Sequence, residues 1–293
     1  MSGLATTASA VVVPTVGSKR RSRRSGVLVT LSWVWLALLV IAILLRPLLG
    51  LPDPNRSDYA SIMVSPFSPG HLLGTDEIGR DILSRSIVGA RVSLTVGIGA
   101  IAVATVVGSI LGIVAGYFGG WVNRIISAVI DVMLAFPALV ALIALGVFLG
   151  PGLFTIIIGI GIVASPAVAR VARAATLQFA NREFVTAARG MGATHGRILR
   201  REVLPNVVVP VIAYSTVLIA VAIVAEAGLS FLGLGVPPPA SSWGSMMGTG
   251  RSALSDAPHI VLIPAAFMFV TLLALNFLAE HIGKRFDIRE SAL

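Results

Sequence analysis

Arg182-Glu-Phe-Val-Thr-Ala-Ala-Arg-Gly-Met-Gly-Ala-Thr-His-Gly-Arg-Ile-Leu-Arg-Arg-Glu-Val-Leu-Pro205 is a charged, glycine-punctuated segment in a chain that is otherwise hydrocarbon-like. Phe184, Ala188 and Met191 recur at i, i+4 and i+7, which predicts a short helix over 183–191 with one apolar face. Gly190 and Gly192 permit the sharp turn that ends it. A second short helix is expected to carry Arg197, Arg200 and Arg201 on its wet side until Pro205 starts a new element. Two short helices at an elbow make a docking surface, and nothing in the stretch supplies catalytic apparatus.

The surroundings of this stretch explain why its charge stands out. Over 293 residues, 56% are hydrophobic and only 12% charged, and the mean hydropathy is +0.94. A soluble domain of that length needs far more charge, so the chain reads as an all-α integral membrane protein. The absence of cysteine removes disulfides, thiol catalysis and iron–sulfur clusters.

Uncharged runs locate the spans. Residues 1–24 are polar and end in a basic run, Lys19-Arg20-Arg21-Ser22-Arg23-Arg24; the stretch 25–49 that follows is too long for a signal-peptide core and reads as a retained first helix. Residues 50–90 form a polar loop. No charge then appears between Arg91 and Arg124, enough for a second span. The uncharged run 132–169 far exceeds the roughly 20 residues that a bilayer needs, so it must hold two helices around Gly150-Pro151-Gly152. A fifth span is expected over about 206–233 and a sixth over about 258–279. Residues 91–280 are thus a five-helix core interrupted by the loop 174–205, and 281–293 a tail.

Charge assigns the sides. Six spans put both termini together, and with the N-terminus inside, 16 of the 22 basic residues fall on inner segments. The remaining six are matched by six acidic residues on the outer segments. The positive-inside rule therefore places both termini and the 182–205 elbow in the cytoplasm. The net charge of +9 needs no nucleic-acid partner.

Ala100, Ala104, Gly108, Gly112, Gly116 and Gly120 recur every four residues, so one face of the second span is almost bare backbone. Such a face lets another helix approach closely where lipid offers no hydrophobic drive; the register does not say whether that helix belongs to this chain or another. Asp131 and Glu226 are the two acids expected inside spans. Intramembrane carboxylates are costly, and these read either as a proton relay or substrate contact, or as hydrogen-bonded structural groups. His71, Asp76, Glu77 and Asp81 come without a nucleophile motif, the four histidines are scattered over segments on both sides, and no phosphate loop is present. No catalytic, metal or cofactor site is expected on this chain.

The elbow resembles the EAA loop of ABC-importer permeases, in which Ala187, Ala188, Gly192, Leu204 and Pro205 fall at the matching spacings. Thr186 stands where that pattern has its Glu, and Glu202 where it has an Ile, which leaves Glu183 as the nearest acid able to serve a salt bridge there. The resemblance extends to the segment Gly74-Thr75-Asp76-Glu77-Ile78-Gly79-Arg80-Asp81, followed by Gly89-Ala90-Arg91. It continues in Ala115-Gly-Tyr-Phe-Gly-Gly120, Asp131-Val-Met-Leu-Ala-Phe-Pro137 and Glu226-Ala-Gly-Leu-Ser-Phe-Leu-Gly-Leu-Gly235. These motifs are similar to those of the dipeptide/oligopeptide class, the DppC/OppC-type subunit, a class that also imports nickel chelates and glutathione. The resemblance implies a type I importer permease fold in the bacterial cytoplasmic membrane, with a heterodimeric second permease, two ABC ATPase domains carrying ATP and Mg, and an extracytoplasmic substrate-binding protein. It also implies that Glu183, Phe184, Ala187, Ala188, Arg189, Gly190, Met191, Gly192, Leu204 and Pro205 form the coupling loop to the ATPase, moving as a lever in alternating access. A reading from another class is a proton-coupled secondary transporter using Asp131 and Glu226; such folds carry inverted repeats, and no convincing internal repeat is present.

Overall fold

The computed structural model describes residues 19–290, with side chains over 26–283. Most of the polar N-terminal segment therefore lies outside the described residues, as do the side chains of Lys284, Arg285 and Arg289 in the tail. The described residues form α1 (Lys19–Leu45), α2 (Ile82–Phe118), α3 (Gly120–Ala135), α4 (Ala138–Leu149), α5 (Leu153–Ala180), α6 (Glu183–Gly190), α7 (His195–Ile198), α8 (Leu204–Phe231), α9 (Trp243–Thr249) and α10 (His259–Glu290). Among the described residues, five continuous helical stretches are long and apolar enough to cross a membrane, and a sixth crossing exists if α3 and α4 are taken together.

That third crossing is not the single helix the sequence leads one to expect. α3 and α4 meet at an 89° bend. The cause is Pro137, which fixes its own φ at −58° and pushes Phe136 into an extended conformation (φ −78°, ψ 134°).

Pro205 stands at the second position of α8, where a new element is expected, but the chain's helical course is not broken there. From Leu199 to Val203 the chain widens into a single π-turn, in which the Leu204 N–H donates to the Leu199 carbonyl. Proline has no N–H for the ordinary i−4 bond, and the wider turn absorbs that gap. Residues 195–231 consequently run as one helix of 37 residues. α2 begins at Ile82, within the stretch read as loop, because Asp81 caps it by accepting from the Ser84 N–H at 2.8 Å.

Packing centres on α2, α5 and α8, which share a core of Val96, Ala100, Ile160, Val168, Val211 and Ala222, among others. α2 and α5 lie side by side in the same direction along the small-residue face. A Cβ added at Gly108 would sit 2.7 Å from the Cβ of Val168, and at Gly112 2.7 Å from that of Ala172. At Gly116 it would lie 2.8 Å from the Cβ of Thr176. No real side chains approach so closely, so the neighbouring backbone occupies the space of the missing groups. The partner left open by the four-residue register is thus α5 of this same chain. Gly120 lies beyond the contact: it opens α3, and nothing stands within 4 Å of where its Cβ would be. α1 rests on α10, where the Trp35 indole N–H donates to the Thr271 hydroxyl at 3.0 Å.

Candidate functional site

The elbow grows directly out of two core helices. α5 ends at Ala180 and α6 begins three residues later; α7 feeds through the π-turn into α8. α6 stops in a paired closure: the Ala193 N–H donates to the Ala188 carbonyl and the Gly192 N–H to that of Arg189, both at 3.0 Å. Gly192 occupies the left-handed position, φ +78°, which a Cβ disfavours. Gly190 is an ordinary last residue of the helix with open space around it. Of the two glycines read as turn-forming, only Gly192 performs that task. Thr194 then caps α7.

The buried face of α6 keeps Ala188 of the expected stripe but not Phe184 or Met191. Val185 and Ala188 are buried, whereas Phe184 is 41% exposed and Met191 82% exposed. On an eight-residue helix both stripes are comparably apolar, and the tertiary environment chooses between them. Val185 joins Ile198 and Val203 in the core cluster that includes α2, α5 and α8, which turns Phe184 and Met191 outward. Glu183 lies in the first turn of α6 and Arg189 in the last, each on the side the helix dipole favours. Thr186, Ala187, Leu204 and Pro205 are on the exposed surface, and Arg197, Arg200 and Arg201 line a basic surface with Thr194 and Gly196.

Tyr117 binds this elbow to α2. Its hydroxyl is 2.9 Å from His195 Nδ1, its ring meets the imidazole edge-on at 5.7 Å, and the Arg189 guanidinium lies over its face at 5.5 Å. In the sequence Tyr117 stands out only as part of the 115–120 motif. The signal available was an aromatic hydroxyl at the end of a long apolar helix, but its partner is 78 residues away.

At the other end of the molecule, the 74–81 segment is a self-satisfied turn. Asp76 accepts from the Ile78 and Arg80 amides at 3.1 and 2.9 Å and from Arg80 Nε at 2.7 Å. Thr75 receives the Val64 amide at 2.9 Å and donates to the Ser61 carbonyl. Gly74 and Gly79 both take φ +79°. Asp81 caps α2 with one carboxylate oxygen and meets His71 Nδ1 at 3.0 Å with the other. Glu77 accepts from Ser252 at 2.7 Å. Nearby, the Ala60 amide and Ser61 hydroxyl hold the Asp58 carboxyl below its ordinary value of 3.8. These acids are occupied in shaping the loop.

The two span acids diverge. Asp131 lies on an open face of α3 and takes a 2.7 Å ion pair from Arg170 of α5, with both side chains more than half exposed. Glu226 is fully buried. It accepts from Ser93 at 3.0 Å and Ser230 at 2.6 Å, and Ser242 in turn donates to Ser230 at 3.2 Å. Glu226 thus ties α8 to α2 and to the cap of α9. The two acids are on separate helices with separate partners and are not brought together into one site.

Known proteins resemble the chain in sequence and in fold. The family described as binding-protein-dependent transport system inner membrane component matches residues 108–288. The glutathione transport system permease protein GsiD of Escherichia coli O6:K15:H31 (strain 536 / UPEC) is 38% identical over 268 residues, covering 92% of this chain and 88% of the relative. GsiD of Shigella boydii serotype 4 (strain Sb227) is similar to the same extent. In fold, the chain is similar to an inward-facing MetNI methionine ABC transporter (TM-score 0.57, 19% identity, 70% of this chain and 96% of that one). It is also similar to an amino acid ABC transporter crystallised with histidines (TM-score 0.55, 20% identity, 69% and 94%). The chain belongs to the binding-protein-dependent transport system inner membrane components, the multi-pass permease subunits of ABC importers.

Proposed function

We propose that this permease imports small peptides, glutathione among them, and that the 182–205 elbow is its cytoplasmic coupling element. The observation that carries the reading is the way the elbow is held. It is covalently continuous with α5 and α8, and Tyr117 adds α2 through a hydrogen bond to His195 and a cation–π contact with Arg189. Displacing the elbow therefore displaces all three core helices. The exposed Phe184 and Met191 are the apolar groups available to a groove on an ATPase subunit. The small-residue contact between α2 and α5 leaves no soft layer of side chains to absorb the motion.

In this mechanism ATP and Mg belong to two partner ATPase domains, an extracytoplasmic binding protein delivers the peptide, and a homologous second permease completes the path. The chain itself supplies shape and stiffness, and an ATP-driven shift between inward- and outward-open states requires differential contact at the elbow in the two states. The GsiD relatives support the peptide class and make glutathione the first substrate to test.

The test is uptake of labelled glutathione and trialanine by cells expressing the full system. Import should stop when ATP is depleted and continue when a protonophore collapses the proton gradient with ATP maintained. The reverse pattern would refute ATP-driven coupling through the elbow.

A further inference from the structure

The end of the molecule opposite the elbow contains a cavity of about 440 Å³, formed by the turn after α8, by α9 and by the beginning of α2. Arg80, Arg85 and Arg251 all line it. Among the described residues, Asp76 is the one carboxylate in ion-pair contact with any of the three. Asp76 serves two of them at once, with Arg80 Nε at 2.7 Å and Arg85 Nε at 3.6 Å from the same oxygen, and Arg85 also donates to the Pro54 carbonyl at 3.0 Å. Glu77, the neighbouring acid, accepts from Ser252. Arg251 makes no ion pair among the described residues; its guanidinium lies 6.0 Å from the centre of the Phe231 ring, a second lining group.

The arrangement separates two duties. Arg80 and Arg85 are fixed by Asp76 and the loop backbone, so they raise the local positive potential without being free to move. Arg251, held among the described residues by an aromatic face alone, keeps its planar donors available, and a guanidinium fork fits a carboxylate bidentately. The volume lies within the range of small-molecule pockets. We propose that this cavity receives a carboxylate of the peptide substrate on the extracytoplasmic side, and that Arg251 is the residue that grips it. The proposal rests on the import reading above and adds to it an anionic handle as the feature recognised by the permease itself.

The experiment uses the assembled permease–ATPase complex in detergent without its binding protein. Binding of glutathione is compared with that of glutathione diethyl ester, in which both carboxylates are masked. The acid should bind at least tenfold more tightly than the ester. Arg251→Gln should weaken the acid about tenfold and leave the ester unchanged, while Arg251→Lys should recover part of the loss. Equal binding of acid and ester, or wild-type affinity in Arg251→Gln, overturns the proposal. The same wild-type complex is assayed for uptake in liposomes with its binding protein. Failure to import any peptide refutes the import reading, whereas intact import with unchanged binding in Arg251→Gln refutes only the carboxylate site.

Discussion

Tyr117 and Gly192 hold the elbow in complementary ways, one by a contact and the other by a backbone conformation. Tyr117→Phe keeps the ring edge-on to His195 and beneath Arg189 but removes the hydroxyl that reaches Nδ1. A hydrogen bond of this kind is worth about 1 kcal/mol, a factor of about five in an equilibrium. The expected result is about a fivefold fall in substrate transported per ATP hydrolysed in liposomes, with ATPase stimulation by the loaded binding protein retained. An unchanged ratio would show that the contact does not carry coupling. Gly192→Val forces a β-branched residue to φ +78°, at a cost of about 1–3 kcal/mol. It should uncouple transport from hydrolysis while the bundle remains folded by gel filtration. Gly192→Asn, which tolerates the left-handed region better, should retain more transport than the valine variant; equal behaviour of the two would argue against the turn as the cause.

Among the elements, the α2–α5 contact and the α3–α4 bend show how little the local pattern leaves to chance in one case and how much in the other. The four-residue repeat of small side chains becomes a helix contact because any added atom at 108, 112 or 116 collides with α5. Gly112→Ala should therefore lower the unfolding temperature in detergent, since overpacking a close contact costs about 1–3 kcal/mol. Gly146 in α4 provides the control: a Cβ there would meet only Leu234, at 4.0 Å. Gly146→Ala should leave that temperature unchanged or raise it slightly, because alanine is the better helix former by about 1 kcal/mol. Equal effects at the two positions would remove the packing explanation. On α3, before the bend, Asp131 lies on an open face and pairs with Arg170.

At the scale of the whole molecule, one end is a basic elbow with two projecting apolar side chains and the other a charged loop folded over a cavity. A single rigid core of α2, α5 and α8 lies between them. The double variant Phe184→Glu, Met191→Glu alters side chains that the fold does not bury. It should leave the permease folded and reduce co-purification of the ATPase subunit about tenfold or more, as loss of central apolar contacts does at an interface. Undiminished recovery of the ATPase would refute Phe184 and Met191 as the docking contacts.

The sequence by itself determined the membrane class, the approximate spans, the elbow and the close-packing face of α2. These follow from hydropathy, charge distribution and the repeat of small residues, all of which are properties of the chain read locally. Tertiary structure decided the rest. It turned Val185 instead of Phe184 and Met191 into the core, because two equally apolar stripes of a short helix are distinguished only by what packs against them. It converted Pro205 into part of a continuous helix through a π-turn, and let Pro137 break a crossing, because the outcome for a proline depends on whether the surrounding turns can absorb the missing hydrogen bond. It joined Tyr117 to His195, and Arg251 to a cavity shared with Arg80 and Arg85, since pairings across 78 and 171 residues are set by how helices stack and leave no mark in the local pattern.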